Sequence, residues 1–310
     1  MHLKKVAIIG SRGYIGSELS KFFENKFDLT LVSSKSSNNK IENQNFLTKV
    51  ILANDYIIFL SNINSIKENE EYPFKNYKVS ISPLKKICHI SNKLKKKINI
   101  LYFSSSSVYG IQNGSINENA ITKPTCNYDF QKLLCEEILK EAKSQYLKYT
   151  ILRLGNIYGP SEKNPQSKDR GIVGKIIKSA IVNNKIYIYG SGDYCRNYLY
   201  IKDLVELIFL IIKKNKFKNQ IYNVGSNEFT TLKKIFSLIS KIVSEKTMTK
   251  VKIIYKKWPK KHFKIEKRNF KLSCAKLRKE MDWKSTTTIL RGINSYINYY
   301  LKELKWQQKE

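Results

Sequence analysis

The chain has 310 residues, 42% of them hydrophobic, enough to bury one large core or two modest ones. Its 57 lysines and arginines outnumber 25 acidic residues, a formal charge of +32 that favours anionic over cationic ligands. Five widely spaced cysteines without a C-x-x-C pair, and only three histidines, argue against a disulfide framework and a zinc site, and for reduced thiols in a cytoplasm.

In chain order, residues 6–9 read as a buried strand that starts too close to Met1 to leave room for a targeting segment. Gly10-Ser11-Arg12-Gly13-Tyr14-Ile15-Gly16 follows, and residues 13–24 have a helical pattern. That order suits a dinucleotide pyrophosphate. Gly10 makes the tight turn, Gly13 lets the backbone approach the phosphates, and Gly16 lets helix and strand pack closely. The helix N-terminus adds N–H groups and a positive dipole end. Arg12, Tyr14 and Ile15 lie in the same loop and join the three glycines as candidate cofactor contacts.

A second strand spans 29–33, and the Ser/Asn-rich residues 34–45 read as loop rather than as a third strand. A helix at 46–52, a buried strand at 55–60, a helix at 79–94, a strand at 98–103, a helix at 128–143 and a strand at 150–154 follow. This alternation predicts an α/β fold with a doubly wound parallel sheet. After Pro160 the pattern loosens, with a mobile polar loop at 161–170, a helix at 171–183, a strand at 185–189 and a turn at 190–193. The helix 203–213 and strand 221–224 read as returning to the sheet. The apolar run 204–212, broken by Glu206, is too short to span a membrane. A last amphipathic helix lies near 289–300. The expected division is a nucleotide-binding domain over 1–160, joined by 201–225, and a smaller substrate lobe over 161–310.

The strand 98–103 runs into Ser104-Ser105-Ser106-Ser107-Val108-Tyr109-Gly110, and Tyr128 and Lys132 follow at i and i+4 on one helical face. Such a pair can make a phenol a base near neutral pH. Phenol titrates near ~10, and an ammonium about 4 Å away contributes on the order of 4 kcal/mol, or about three pKa units. Tyr198 and Lys202 share the spacing but lack a serine-ended strand before them, which marks them as a chance match.

Together these segments resemble the extended short-chain dehydrogenase/reductases, in the nucleotide-sugar epimerase/dehydratase branch typified by UDP-glucose 4-epimerase. Further carriers are Leu152-Arg153-Leu154-Gly155-Asn156-Ile157-Tyr158-Gly159-Pro160, the stretch 188–196 ending in Arg196, Asp203, Tyr222-Asn223-Val224-Gly225 and the interval from Lys276 to Trp283. The resemblance implies a Rossmann domain binding NAD or NADP. It makes Tyr128 the acid/base on a sugar hydroxyl and Lys132 the group that lowers its pKa and holds the nicotinamide ribose. Ser105 aligns with the serine or threonine that hydrogen-bonds the reacting oxygen and relays its proton. Ser106 or Ser104 could serve instead, because a serine run does not fix its own register. Asn156, Arg196 and Arg268 fall where the family contacts the substrate diphosphate, and Ser105 and Ser106 where it meets the sugar. Arg153 reads as structural.

Departures from the pattern are informative. Dehydratases of the branch carry Thr-Asp-Glu where this chain has Ser105-Ser106-Ser107, which disfavours water elimination. The acidic residue expected to bind the ribose 2′-hydroxyl of NAD is replaced by Ser33. With Lys35 and Arg12 nearby, the balance tips toward NADP. The family's Asn on the helix before the serine strand corresponds to Ser80 or to nothing. The expectation is a cytoplasmic epimerase or keto-sugar reductase acting on a nucleoside-diphosphate sugar, as a homodimer through the helices near 79–94 and 128–143. Its rival, suggested by the +32 charge, is a nucleic-acid-binding protein on a retained scaffold, whose affinity would fall steeply with salt. Against it, only seven basic residues are arginine, and the lysines are spread along the chain as base composition would spread them.

Overall fold

The computed structural model describes residues 3–33, 41–161, 171–259 and 264–307. Its strands are β1 (Lys5–Ile9), β2 (Asp28–Val32), β3 (Tyr56–Phe59), β4 (Ile98–Ser105), β5 (Asn113–Ile116), β6 (Leu147–Leu154), β7 (Asn156–Tyr158), β8 (Lys185–Tyr189), β9 (Cys195–Tyr200), β10 (Gln220–Val224), β11 (Phe229–Thr231), β12 (Lys252–Lys256) and β13 (Asn269–Leu272). The α-helices are α1 (Tyr14–Phe23), α2 (Gln44–Ala53), α3 (Ile66–Glu71), α4 (Pro73–Asn76), α5 (Ser82–Lys93), α6 (Asn127–Ala142), α7 (Ile172–Asn183), α8 (Ile201–Lys213), α9 (Leu232–Thr247), α10 (Ala275–Met281) and α11 (Ile289–Gln307).

Six strands form one parallel sheet in the order β10-β6-β4-β3-β1-β2. Successive side chains point to opposite faces, so each apolar run feeds two cores. Val6, Ile8, Leu101 and Phe103 share one cluster with Leu19 and Phe23 of α1 and Leu204 and Ile208 of α8. Ala7, Ile9, Ile100 and Tyr102 share the other with Leu47 of α2, Leu84 of α5, and Cys135 and Leu139 of α6. Helices on both faces make the sheet doubly wound, as the alternation predicted. β1 lies between β2 and β3, so the strand order reverses there. A crevice opens at such a reversal, at the carboxyl ends of the strands.

Beyond the main sheet, β7, β9 and β11 form a three-stranded sheet, while β12 pairs with β8 and β13 with β5. A separate core joins α7, α9 and α11 to β8 and β9 through Ile177, Ile239, Ile293, Ile188 and Tyr200. The helix expected at 79–94 begins instead as a π-turn over Tyr77–Ile81, followed by α5 with a proline in its first turn. The polar loop expected at 161–170 lies, apart from Ser161, outside the described residues, as does Lys35. Among the described residues no helix is long and apolar enough to cross a membrane.

Candidate active site

The glycine turn follows β1 into the crevice. Gly10 has φ +94°, which L side chains rarely adopt, and a Cβ there would lie 3.1 Å from the Leu60 and Ser61 backbone after β3. A Cβ on Gly16 would sit 2.2 Å from the Gly10 carbonyl oxygen. Gly13 caps α1 without a side-chain hydrogen bond, and the first turn of α1 holds no acidic residue. The turn therefore suits an anion approaching the helix N-terminus. Arg12 is exposed, and Ser33 is half-buried just past the end of β2. Tyr14 and Ile15 pack against the sheet core, and the Tyr14 hydroxyl donates to the Gly159 carbonyl at 2.8 Å, tying the turn to the segment after β7. Gly16→Ala is expected to lower dinucleotide affinity more than about tenfold, because backbone rather than a flexible side chain must move. Titration calorimetry checks this, and wild-type affinity in the variant would remove Gly16 from the argument.

The structure gives each serine of the run its own environment. Ser104, at the end of β4, donates to Glu136 Oε1 at 2.5 Å and is buried with it. Ser105 Oγ accepts from the Ser107 amide at 3.2 Å and from the Ser107 hydroxyl at 2.8 Å. Ser106 lines a pocket shared with Asn156, Arg196 and Arg268. Ser104 is thus committed to the interior, and Ser105 is the serine that meets Tyr128, in hydrogen-bonding relation to its phenol.

Helix α6 carries Tyr128, Lys132 and Glu136 on one face, and from α3 the Glu70 carboxylate caps its first residue, accepting from the Asn127 amide at 2.6 Å. Lys132 is buried and donates to the Phe103 carbonyl at 2.6 Å, with its ammonium 5.8 Å from the Tyr128 ring centroid. The expectation that this lysine makes the phenol acidic is not met in the protein alone. Burial pushes Tyr128 up to about 12, with Asp129 and Cys126 adding to the rise, while Ser105 and Arg268 pull it down. Burial also brings Lys132 down to about 8, against the opposing influence of Cys135 and Glu136. Desolvation of the charged form is the largest influence on each group. Ser80, in the π-turn, approaches Cys135 Sγ at 3.8 Å.

Beneath these residues lies a buried polar network that sequence reasoning missed, apart from the structural role of Arg153. Arg153 bonds both Glu136 oxygens, Nη2 to Oε2 at 2.7 Å and Nε to Oε1 at 3.0 Å, and donates to the Tyr109 hydroxyl at 3.0 Å. Tyr109 in turn donates to Asn223 Oδ1 at 2.7 Å. The one signal for Glu136 was its i+4 spacing from Lys132. At the pocket wall, Arg268 Nη2 donates to Asn156 Oδ1 at 3.3 Å, and Arg196 donates to the Glu266 and Arg268 carbonyls. Burial and the charge of Arg268 lower Arg196 to about 9. Two neighbouring guanidiniums of this kind are stabilised by an anion between them. The Tyr198/Lys202 pair is split by the structure, Tyr198 buried on β9 and Lys202 exposed on α8.

The model of the NAD dependent epimerase/dehydratase family matches residues 6–225. The chain belongs to that family. The dTDP-D-glucose 4,6-dehydratase of Dictyostelium discoideum is 29% identical over 264 residues, 73% of this chain, and the match spans 59% of that protein's length. The UDP-glucose 4-epimerase of Mycoplasma genitalium is 26% identical over 276 residues, covering 77% of this chain and 81% of the relative. Among solved structures, the UDP-glucose 4-epimerase of Thermotoga maritima with UDP-glucose superimposes with a TM-score of 0.83 at 23% identity, over 97% of this chain and 99% of that one. That likeness is one of fold, and it extends beyond the residues of the family match.

Proposed function

We propose that the protein moves a hydride at a sugar carbon, C4 by family analogy, of a nucleoside-diphosphate sugar, and that the net reaction is epimerisation. The observation that carries this reading is the meeting of Ser105, Tyr128 and Lys132 at the carboxyl end of the parallel sheet, beside a pocket walled by Asn156, Arg196 and Arg268. Gly10, Gly13 and Gly16 would hold the cofactor pyrophosphate, and Tyr128 and Lys132 its nicotinamide ribose. A bound oxidised nicotinamide supplies the hydride acceptor and a positive charge. That charge would favour the phenolate and so act against the effect of burial on Tyr128. Tyr128 then takes the sugar hydroxyl proton, Ser105 stabilises the phenolate oxygen, and the two arginines with Asn156 hold the diphosphate. Ser106 and Ser107 offer no acid to expel water, which speaks against dehydration.

A second reading, keto-sugar reduction by NADPH, is favoured by Ser33 at the end of β2 and the exposed Arg12, which suit a 2′-phosphate. Direct comparison of NADP and NAD affinities tests it, and a clear NAD preference would exclude it. Incubation with a panel of nucleotide sugars, with and without NADPH, separates the two by product mass and stereochemistry. The five thiols, four of them buried and none paired, suit a reducing cytoplasm.

A homodimer fits the same reading. Phe74, Tyr77, Phe130 and Leu134 are exposed on α4, the π-turn and α6, with Phe74 at 79%. Phe130→Asp with Leu134→Asp is expected to convert a dimer to monomers in sedimentation equilibrium. Unchanged mass of the double variant would place the interface elsewhere.

A further inference from the structure

We infer that Ser107 is a positioning residue that aims the Ser105 proton at Tyr128, so that Ser105 acts as a fixed donor and not as a relay. A serine hydroxyl has one proton to give and two lone pairs to accept with. Ser105 Oγ accepts twice from the same residue, at 2.8 Å from the Ser107 hydroxyl and at 3.2 Å from the Ser107 amide. Ser107 is 4% exposed and sits inside the short 3-10 turn Ser106–Tyr109, whose closing bond runs from the Gly110 amide to the Ser107 carbonyl at 2.8 Å. With both lone pairs engaged, the remaining function of Ser105 is its O–H, and Tyr128 is the acceptor beside it.

The consequence bears on the route of the proton, and it rests on the reading of Tyr128 as the acid/base. When the sugar O–H bond breaks, its proton passes to the Tyr128 oxygen directly, since Ser105 has no lone pair to receive it. The C–H electron pair leaves with the hydride to the oxidised nicotinamide, and the sugar carbonyl forms. Ser107 touches none of the reacting atoms and acts through Ser105.

The test uses full-length protein with NAD and UDP-glucose. Ser107→Ala is expected to lower kcat about fivefold to tenfold, the worth of one neutral hydrogen bond, with KM unchanged. The acidic limb of its pH–rate profile moves to higher pH, because a less polarised donor stabilises the phenolate less. Ser107→Thr, which keeps the hydroxyl, restores both. In a Ser105→Ala background the Ser107→Ala change costs nothing further. Wild-type kcat and pH profile in a folded Ser107→Ala variant would overturn the inference, as would an equal loss in both backgrounds. If Tyr128→Phe is inactive while Ser107→Ala is normal, the inference alone fails. If wild type does not turn over UDP-glucose, or Tyr128→Phe turns it over normally, the underlying reading fails with it.

Discussion

Tyr128→Phe is expected to bind NAD or NADP as the wild type does and to lose about 10²–10⁴ of kcat, the range general acid–base catalysis supplies. The substitution removes one oxygen and leaves the ring in place. Lys132 keeps its bond to the Phe103 carbonyl, and Glu70 still caps α6, so the helix that presents both residues is unaltered. What disappears is the oxygen proposed to accept the sugar proton. Burial holds the phenol near 12 in the protein alone, so its competence as a base depends on positive charge brought into the site. Single-turnover rates and cofactor titrations separate binding from chemistry. Activity within about tenfold of wild type, with intact binding, would remove Tyr128 from the reaction.

Glu136→Ala is expected to destabilise the fold by about 3–5 kcal/mol, as breaking a buried ion pair from one side does. Glu136 is fully buried, and its loss leaves the Arg153 guanidinium, 3% exposed, without its carboxylate and Ser104 without its acceptor. The network joins α6 to β4, β6 and β10, so its failure is felt across the main sheet and under the site. The double variant Glu136→Leu with Arg153→Met is expected to be more stable than Glu136→Ala, because no charge is then stranded. Urea unfolding measures both. A loss below about 1 kcal/mol for Glu136→Ala would mean that water reaches Arg153 and that the pair is not a keystone of this region.

Much of the sheet was legible because strands buried on both faces are continuous apolar runs. β1, β3 and β4 carry that signature, and the glycine turn after β1 announces the crevice at the sheet's reversal. The short strands were not legible. β5 pairs with β13 across more than 150 residues, through sequences as polar as Asn-Gly-Ser-Ile, and nothing local marks such a partner. The register of the serine run was not legible, because four successive serines carry no difference of their own; the bond from Ser104 to buried Glu136 separates them in the structure. The protonation of the site was hidden for a different reason. Spacing puts Lys132 near Tyr128, but the direction in which each group shifts depends on how deeply it is buried, which only the packed structure supplies.

The most direct test of the account follows deuterium placed on C4 of whichever nucleotide sugar of the panel the protein converts. Hydride removal and return by the Ser105–Tyr128–Lys132 site keeps the label on the inverted carbon of an epimerised product with unchanged mass. Washing of the label into water, its migration with loss of a water molecule, or failure to convert any sugar of the panel would contradict the account.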